Sequence, residues 1–127
     1  MPNNNIKILL VEDDPFLLNM YAAKFEIEHF EVVIADDGEK GFAKAISDKP
    51  DIILLDIMLP RMDGFEVLQK LKATESVKDI PVILLSNLSQ KDEIEKGMRL
   101  GAVDFLIKAH FMPSEVVDKI QKTLGAK

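Results

Sequence analysis

The chain has 127 residues, 47% of them hydrophobic and 30% charged, which is enough for one domain with a substantial core and fits a soluble globular protein. The absence of cysteine and the presence of only two histidines exclude a disulfide framework, thiolate metal sites and a multi-histidine centre, leaving a hard cation held by carboxylates. A net charge of −6 argues against general attraction to nucleic acid or anionic lipid, and with no spanning helix or secretory leader the protein is expected in the cytoplasm.

Apolar runs and helical stripes alternate along the whole sequence. Residues 6–11 read as a strand. Asp14-Pro15 then opens a helix whose apolar positions are Leu17, Leu18, Tyr21 and Phe25, with Asp14 as its cap and Pro15 at its first turn. Residues 31–35 form a short second strand. Asp37-Gly38 starts a helix through Phe42, Ala45 and Ile46, and Lys49-Pro50 stops it.

Residues 51–55 are the third strand, and Phe65, Leu68 and Leu71 mark the helix after it. Pro81 introduces a strand over 82–85, followed by a polar helix over 90–100 with Ile94 and Met98 facing inward. Gly101-Ala102 turns into a strand over 103–107. The last helix begins at Pro113 and carries Val116, Val117, Ile120 and Leu124 on its inner side.

Unbroken apolar strands spaced by helices imply a parallel sheet covered on both faces. The expected fold is α/β: three layers, doubly wound, five parallel strands in the order 2-1-3-4-5 with five helices. Neither a linker nor a repeat interrupts the chain, so one domain over 1–127 is expected.

In such a sheet, ligands bind beyond the carboxyl ends of the strands, where the strand order reverses. The first strand ends in Glu12, Asp13 and Asp14, the third in Asp56, the fourth in Ser86-Asn87 and the fifth in Lys108. With strands one and three adjacent, Glu12, Asp13 and Asp56 converge, flanked by Ser86 and Lys108. Crowded carboxylates repel, and a small divalent cation relieves that repulsion. Mg²⁺ takes oxygen ligands and keeps several waters, leaving room for a phosphoryl oxygen. A carboxylate can be the nucleophile in phosphoryl transfer, so Asp56 reads as a phosphoryl acceptor with its metal. The plainer readings are that the acidic run merely starts a helix, as Asp14 does, and that Phe105 is an ordinary core residue.

"ILLVEDDP", "DIILLDIMLPRMDG", "PVILLS" and "GAVDFLIK", each at the end of its strand, resemble the receiver domains of two-component response regulators, and the likeness covers essentially the whole chain. The resemblance implies that Asp56 accepts a phosphoryl group from a sensor histidine kinase or phosphotransfer protein. It implies that Glu12 and Asp13 serve Mg²⁺ together with Asp56 and the backbone carbonyl of Met58. It makes Ser86 the switch hydroxyl, Phe105 the aromatic switch and Lys108 the contact to a phosphoryl oxygen. The implied output is a change in binding to a downstream protein, with no direct contact to nucleic acid or membrane.

The sequence departs from the family in places. Alanine replaces the proline usual after the lysine, and a trans Lys108-Ala109 bond is expected because a cis bond there costs roughly 3–4 kcal/mol. Arg99 replaces a glutamate and Val103 an aspartate on the face that many receivers use to dimerise, so an unphosphorylated monomer is expected. The competing functions are weaker. A phosphohydrolase with an aspartate nucleophile would need an acid where Met58 stands, and "VEDDP" would repel the phosphate of a flavin. A receiver-like scaffold that takes no phosphate would lack an acid or the lysine. No effector segment follows Leu124, as expected for a stand-alone regulator or a piece of a longer protein.

Overall fold

The computed structural model describes residues 6–86, 91–107 and 113–125. Strand and helix alternate throughout: β1 (Lys7–Val11), α1 (Pro15–Ile27), β2 (Glu31–Ala35), α2 (Gly38–Asp48), β3 (Ile52–Asp56), α3 (Gly64–Lys72), β4 (Val82–Ser86), α4 (Lys91–Arg99), β5 (Asp104–Ile107) and α5 (Pro113–Gly125). All five strands are parallel and lie in the order β2-β1-β3-β4-β5. This is the expected architecture, with strand ends shifted by at most one residue.

Alternation along each strand separates two cores. Ile8, Leu10, Ile52, Leu54, Ile83 and Leu85 face α1 and α5, where Tyr21, Phe25, Val116 and Ile120 cover them. Leu9, Val11, Ile53, Leu55, Val82 and Leu84 face the other way, against Ala45 of α2 and Val67, Leu68 and Leu71 of α3. With both faces covered, β3 and β4 are buried at every position, which is why they read as unbroken apolar runs.

The helix starts follow local chemistry. The Asp14 carboxylate accepts hydrogen bonds from the Phe16 and Leu17 amides at 2.9 and 3.4 Å, and Pro15 takes the position where a missing amide costs nothing. Asp37 caps α2 through the Lys40 amide at 2.8 Å. A capping box that the sequence reading did not single out closes α3: Asp63 accepts from the Glu66 amide at 2.9 Å, and Glu66 accepts from the Asp63 amide at 3.0 Å. No helix among the described residues is long and apolar enough to cross a membrane.

Of the two residues expected on the inward face of α4, Ile94 is half-buried, but the placing of Met98 needs correction. Met98 is 39% exposed, and Gly97 is the buried residue of this helix. The helix is turned so that Gly97 lies against Leu84, where a Cβ would overlap the Leu84 Cδ1 atom. Beside it, the Lys96 ammonium sits 4.5 Å from the centre of the Phe65 ring. The closest approach of α4 to the sheet is therefore made at Gly97, with the half-buried Ile94 and Leu100 one turn to either side.

Inside a helix, Gly→Ala normally stabilises by roughly 0.5–1 kcal/mol. At position 97 the added methyl meets a fully buried leucine, and overpacking of that kind costs about 1–3 kcal/mol. Gly97→Ala is therefore expected to lower stability by about 1 kcal/mol net, read as a lower midpoint in urea unfolding; a raised midpoint would show that α4 is not seated through this contact.

Candidate functional site

The pleat that divides the two cores also builds the site. Glu12 continues the face of Ile8 and Leu10, just past the end of β1, and Asp56 ends β3 on the face of Ile52 and Leu54. Because β1 and β3 are adjacent and in register (Val11 pairs with Leu55), the two carboxylates arrive side by side. Asp13, one residue on, reaches the same place from the exposed side. Carboxylate oxygens of Glu12, Asp13 and Asp56 all lie within 4.8 Å of one another. Glu12 and Asp56 are buried, at 0% and 2% exposure, while Asp13 is open to solvent.

Backbone amides help to hold two of the acids. Asp56 Oδ1 accepts from the Met58 amide at 3.1 Å, and Glu12 Oε2 accepts from the Asp14 amide at 3.0 Å. The Tyr21 phenol, buried on the same face of the sheet, is pushed up to about 12. Its burial is the main cause, with the negative charges of Glu12 and then Asp56 adding to it. Sequence reading gave Tyr21 only a packing role. That it shares a sheet face with two acids emerges once the pleat of β1 and β3 is known.

A divalent ion fits this donor set. Carboxylate oxygens of the three acids already lie within 4.8 Å of one another, close enough for adjustment of the side chains to bring them onto one small cation. The donors are all oxygens, and Asp13 leaves one side open to water.

The other expected residues are brought near to different degrees. Ser86 ends β4, is buried, and follows Leu85, the register partner of Asp56. Phe105 lies on β5, half-buried against the α2–α3 side of the sheet. It pairs with Leu84, two residues before Ser86. Met58 has its side chain 64% exposed on the loop after β3. Lys108, the Lys108–Ala109 bond, Asn87 and Leu88 lie outside the described residues.

With this geometry in hand, comparison with known proteins is informative. The model of the response regulator receiver domain matches residues 8–121. The chain belongs to that family. It is 38% identical over 118 residues to the DNA-binding dual master transcriptional regulator RpaA of Synechocystis, covering 93% of this chain and 48% of RpaA. It is 43% identical over 102 residues to the response regulator PleD of Caulobacter vibrioides, covering 80% of this chain and 22% of PleD. The chain thus spans about half, or less, of the length of these relatives. Among solved structures, the receiver domain of the sensor histidine kinase PA1611 from Pseudomonas aeruginosa matches with a TM-score of 0.87 at 28% identity, covering 94% of this chain and 98% of that one. That structure is described with a magnesium ion coordinated in its active-site cleft.

The cluster also carries a stability signature. At a separation near 5 Å, two like charges in a largely aqueous setting repel by about 1 kcal/mol. Asp13→Asn is expected to raise the melting temperature of the metal-free receiver by a few degrees; if the cluster takes Mg²⁺, the same substitution should remove most of the further rise that added Mg²⁺ produces. A lower melting temperature for the metal-free variant would mean that Asp13 supports the fold and is not crowded.

Proposed function

We propose that this receiver works as a phosphorylation-controlled switch over residues 1–127, with Asp56 as acceptor. An Asp56 carboxylate oxygen attacks the phosphorus of a phosphohistidine on a sensor kinase or phosphotransfer protein. The new O–P bond forms as the P–N bond breaks, and the imidazole leaves and takes up a proton. Glu12, Asp13, Asp56 and the Met58 carbonyl would hold Mg²⁺, which when bound screens the charge on the transferring phosphoryl oxygens. What carries this reading is the meeting of three carboxylates at the carboxyl ends of two central strands.

On this reading the residues divide the work. The Met58 amide, donating to Asp56 Oδ1, fixes the orientation of the carboxylate for attack. The Ser86 hydroxyl and the Lys108 ammonium bind the added phosphoryl oxygens. Ser86 and Phe105 then shift together, altering the surface seen by a downstream protein. The chemistry is confined to the domain's own phosphorylation and dephosphorylation. The acidic balance and the lack of a spanning helix among the described residues fit a cytoplasmic protein that meets other proteins and not nucleic acid or membrane.

Incubation with Mg²⁺ and acetyl phosphate should add one hydroxylamine-labile phosphoryl group by intact mass. Asp56→Asn should abolish it while circular dichroism stays unchanged, since the substitution alters charge and barely alters shape. An adduct that persists in Asp56→Asn would overturn the assignment.

The phosphoryl group is also expected to leave slowly. Hydrolysis needs a water aligned opposite the Asp56 oxygen, and by family position the side chains that could orient it are those of Met58 and Leu88. Leucine offers no hydrogen-bonding group and methionine only a weakly accepting sulfur, so neither side chain can orient the water well. Met58→Asn with Leu88→Glu should speed decay of the adduct by about 10- to 100-fold, the low end of what positioning and proton-transfer groups contribute. Unchanged decay in the double variant would show that the apolar pair does not set the lifetime.

A further inference from the structure

The loop between β3 and α3, which carries Met58, is tied to the start of a different helix. The Pro60 carbonyl accepts a hydrogen bond from the Gly38 amide of α2 at 3.3 Å. Contact is so close here that a Cβ on Gly38 would overlap the Met62 carbonyl oxygen, so no other residue fits without moving the loop. Asp37, next to Gly38 and buried at 7% exposure, uses its two oxygens differently. Oδ1 caps α2 through the Lys40 amide at 2.8 Å, and Oδ2 faces Arg61 Nε at 3.8 Å. The neighbouring acid does not compete for the arginine, because Asp36 is taken up by the Lys40 ammonium at 3.0 Å.

Arg61 is the residue under constraint. Its φ of 71° lies in the left-handed region, which an L side chain occupies at a cost and which persists when the surroundings hold it. The side chain is 67% exposed, so the ion pair is a weak source of stability taken alone. Its leverage is geometric, since it biases a backbone choice made three residues from Met58 and five from Asp56.

We propose that Asp37 and Arg61 form a latch that holds the β3–α3 loop in its left-handed turn, and that through it they set the Mg²⁺ affinity of the acid cluster. Both are positioning residues, outside the ligand set. The inference rests on the proposed reading of Glu12, Asp13, Asp56 and the Met58 carbonyl as the Mg²⁺ site. It assigns a role to the start of α2 that the acceptor chemistry does not use.

The logic gives a test by cycle. Asp37→Asn keeps an oxygen to cap α2 but loses the charge facing Arg61. Arg61→Gly removes the partner, yet lets the turn form without help because glycine enters the left-handed region freely. Mg²⁺ affinity is measured by calorimetry on metal-free protein, and hydrogen exchange of the Gly38 amide is followed in the same protein without metal. Asp37→Asn should weaken Mg²⁺ binding by about 3- to 10-fold, below the 10- to 100-fold typical of groups bonded directly to ligands, and should speed Gly38 exchange. In the Arg61→Gly background, adding Asp37→Asn should change neither quantity by more than about 2-fold, since the latch has become dispensable.

Equal losses from Asp37→Asn in both backgrounds would overturn the latch and leave Asp37 as a general source of negative charge. Wild type that binds Mg²⁺ with Asp37→Asn indistinguishable from it would also overturn it. Wild type that takes no Mg²⁺ would instead defeat the metal reading, and with it the affinity role. The exchange measurement then still decides whether Asp37 and Arg61 hold the loop.

Discussion

Three carboxylates within 4.8 Å of one another repel, and the surrounding structure can be understood as what holds them there. Each pair of like charges at that spacing costs about 1 kcal/mol in water and several times more where the environment is less polar. Two of the three sit at zero or near-zero exposure. The opposing force comes from the strands behind them. Burying one leucine or isoleucine side chain is worth roughly 1.5–3 kcal/mol, and β1 and β3 supply such residues on both faces of the sheet. The acids are thus carried into proximity by a core that gains far more from the β1–β3 pairing than their repulsion takes back. A site with unfavourable charge in its resting state responds strongly to a cation or to a change in charge on one member.

Much of this was legible in the sequence because burial on both faces leaves a plain mark. "IILLD" and "VILLS" can be read as central strands since every position is apolar up to the polar terminus, and strand termini are where doubly wound sheets place their sites. Glu12, Asp13, Asp56 and Ser86 follow from that single rule. Tyr21 did not, because its nearness to the acids depends on which face of β1 and β3 meets α1, a matter of register and pleat. Met98 was assigned inward by helical spacing. The structure seats α4 on Gly97 instead, because absence of a side chain allows closer approach than any apolar residue would. Periodicity counts side chains and cannot register a contact made by backbone.

The Asp37–Arg61 contact was hidden for a related reason. Asp37-Gly38 reads correctly as the start of a helix, and that local explanation accounts for only one of the two Asp37 oxygens. Arg61 has no sequence mark at all, since nothing in "LPRMDG" announces a left-handed arginine. The turn is closed locally by the Met62 amide, which donates to the Pro60 carbonyl at 2.8 Å, and the half-used carboxylate of Asp37 adds a restraint from outside the loop.

The elements around the site differ greatly in how firmly they are held. The sheet cannot shift without disturbing residues buried on both faces, and a packed core resists small displacements. By contrast, α4 buries only Gly97 fully, with Ile94 half-buried, Lys96 lying over Phe65 and most of the rest facing solvent. Elements with few buried apolar contacts open and move at low free-energy cost. At the far edge, the Lys119 ammonium of α5 meets the Asp104 carboxylate of β5 at 2.9 Å, so Asp104 is already engaged within the chain. On the proposed reading, a new negative charge at Asp56 is felt first at Ser86, at the end of β4, the strand whose Leu84 supports α4. On that reading α4, which buries only Gly97, is the element whose displacement costs least, because the strand behind it is buried at every position.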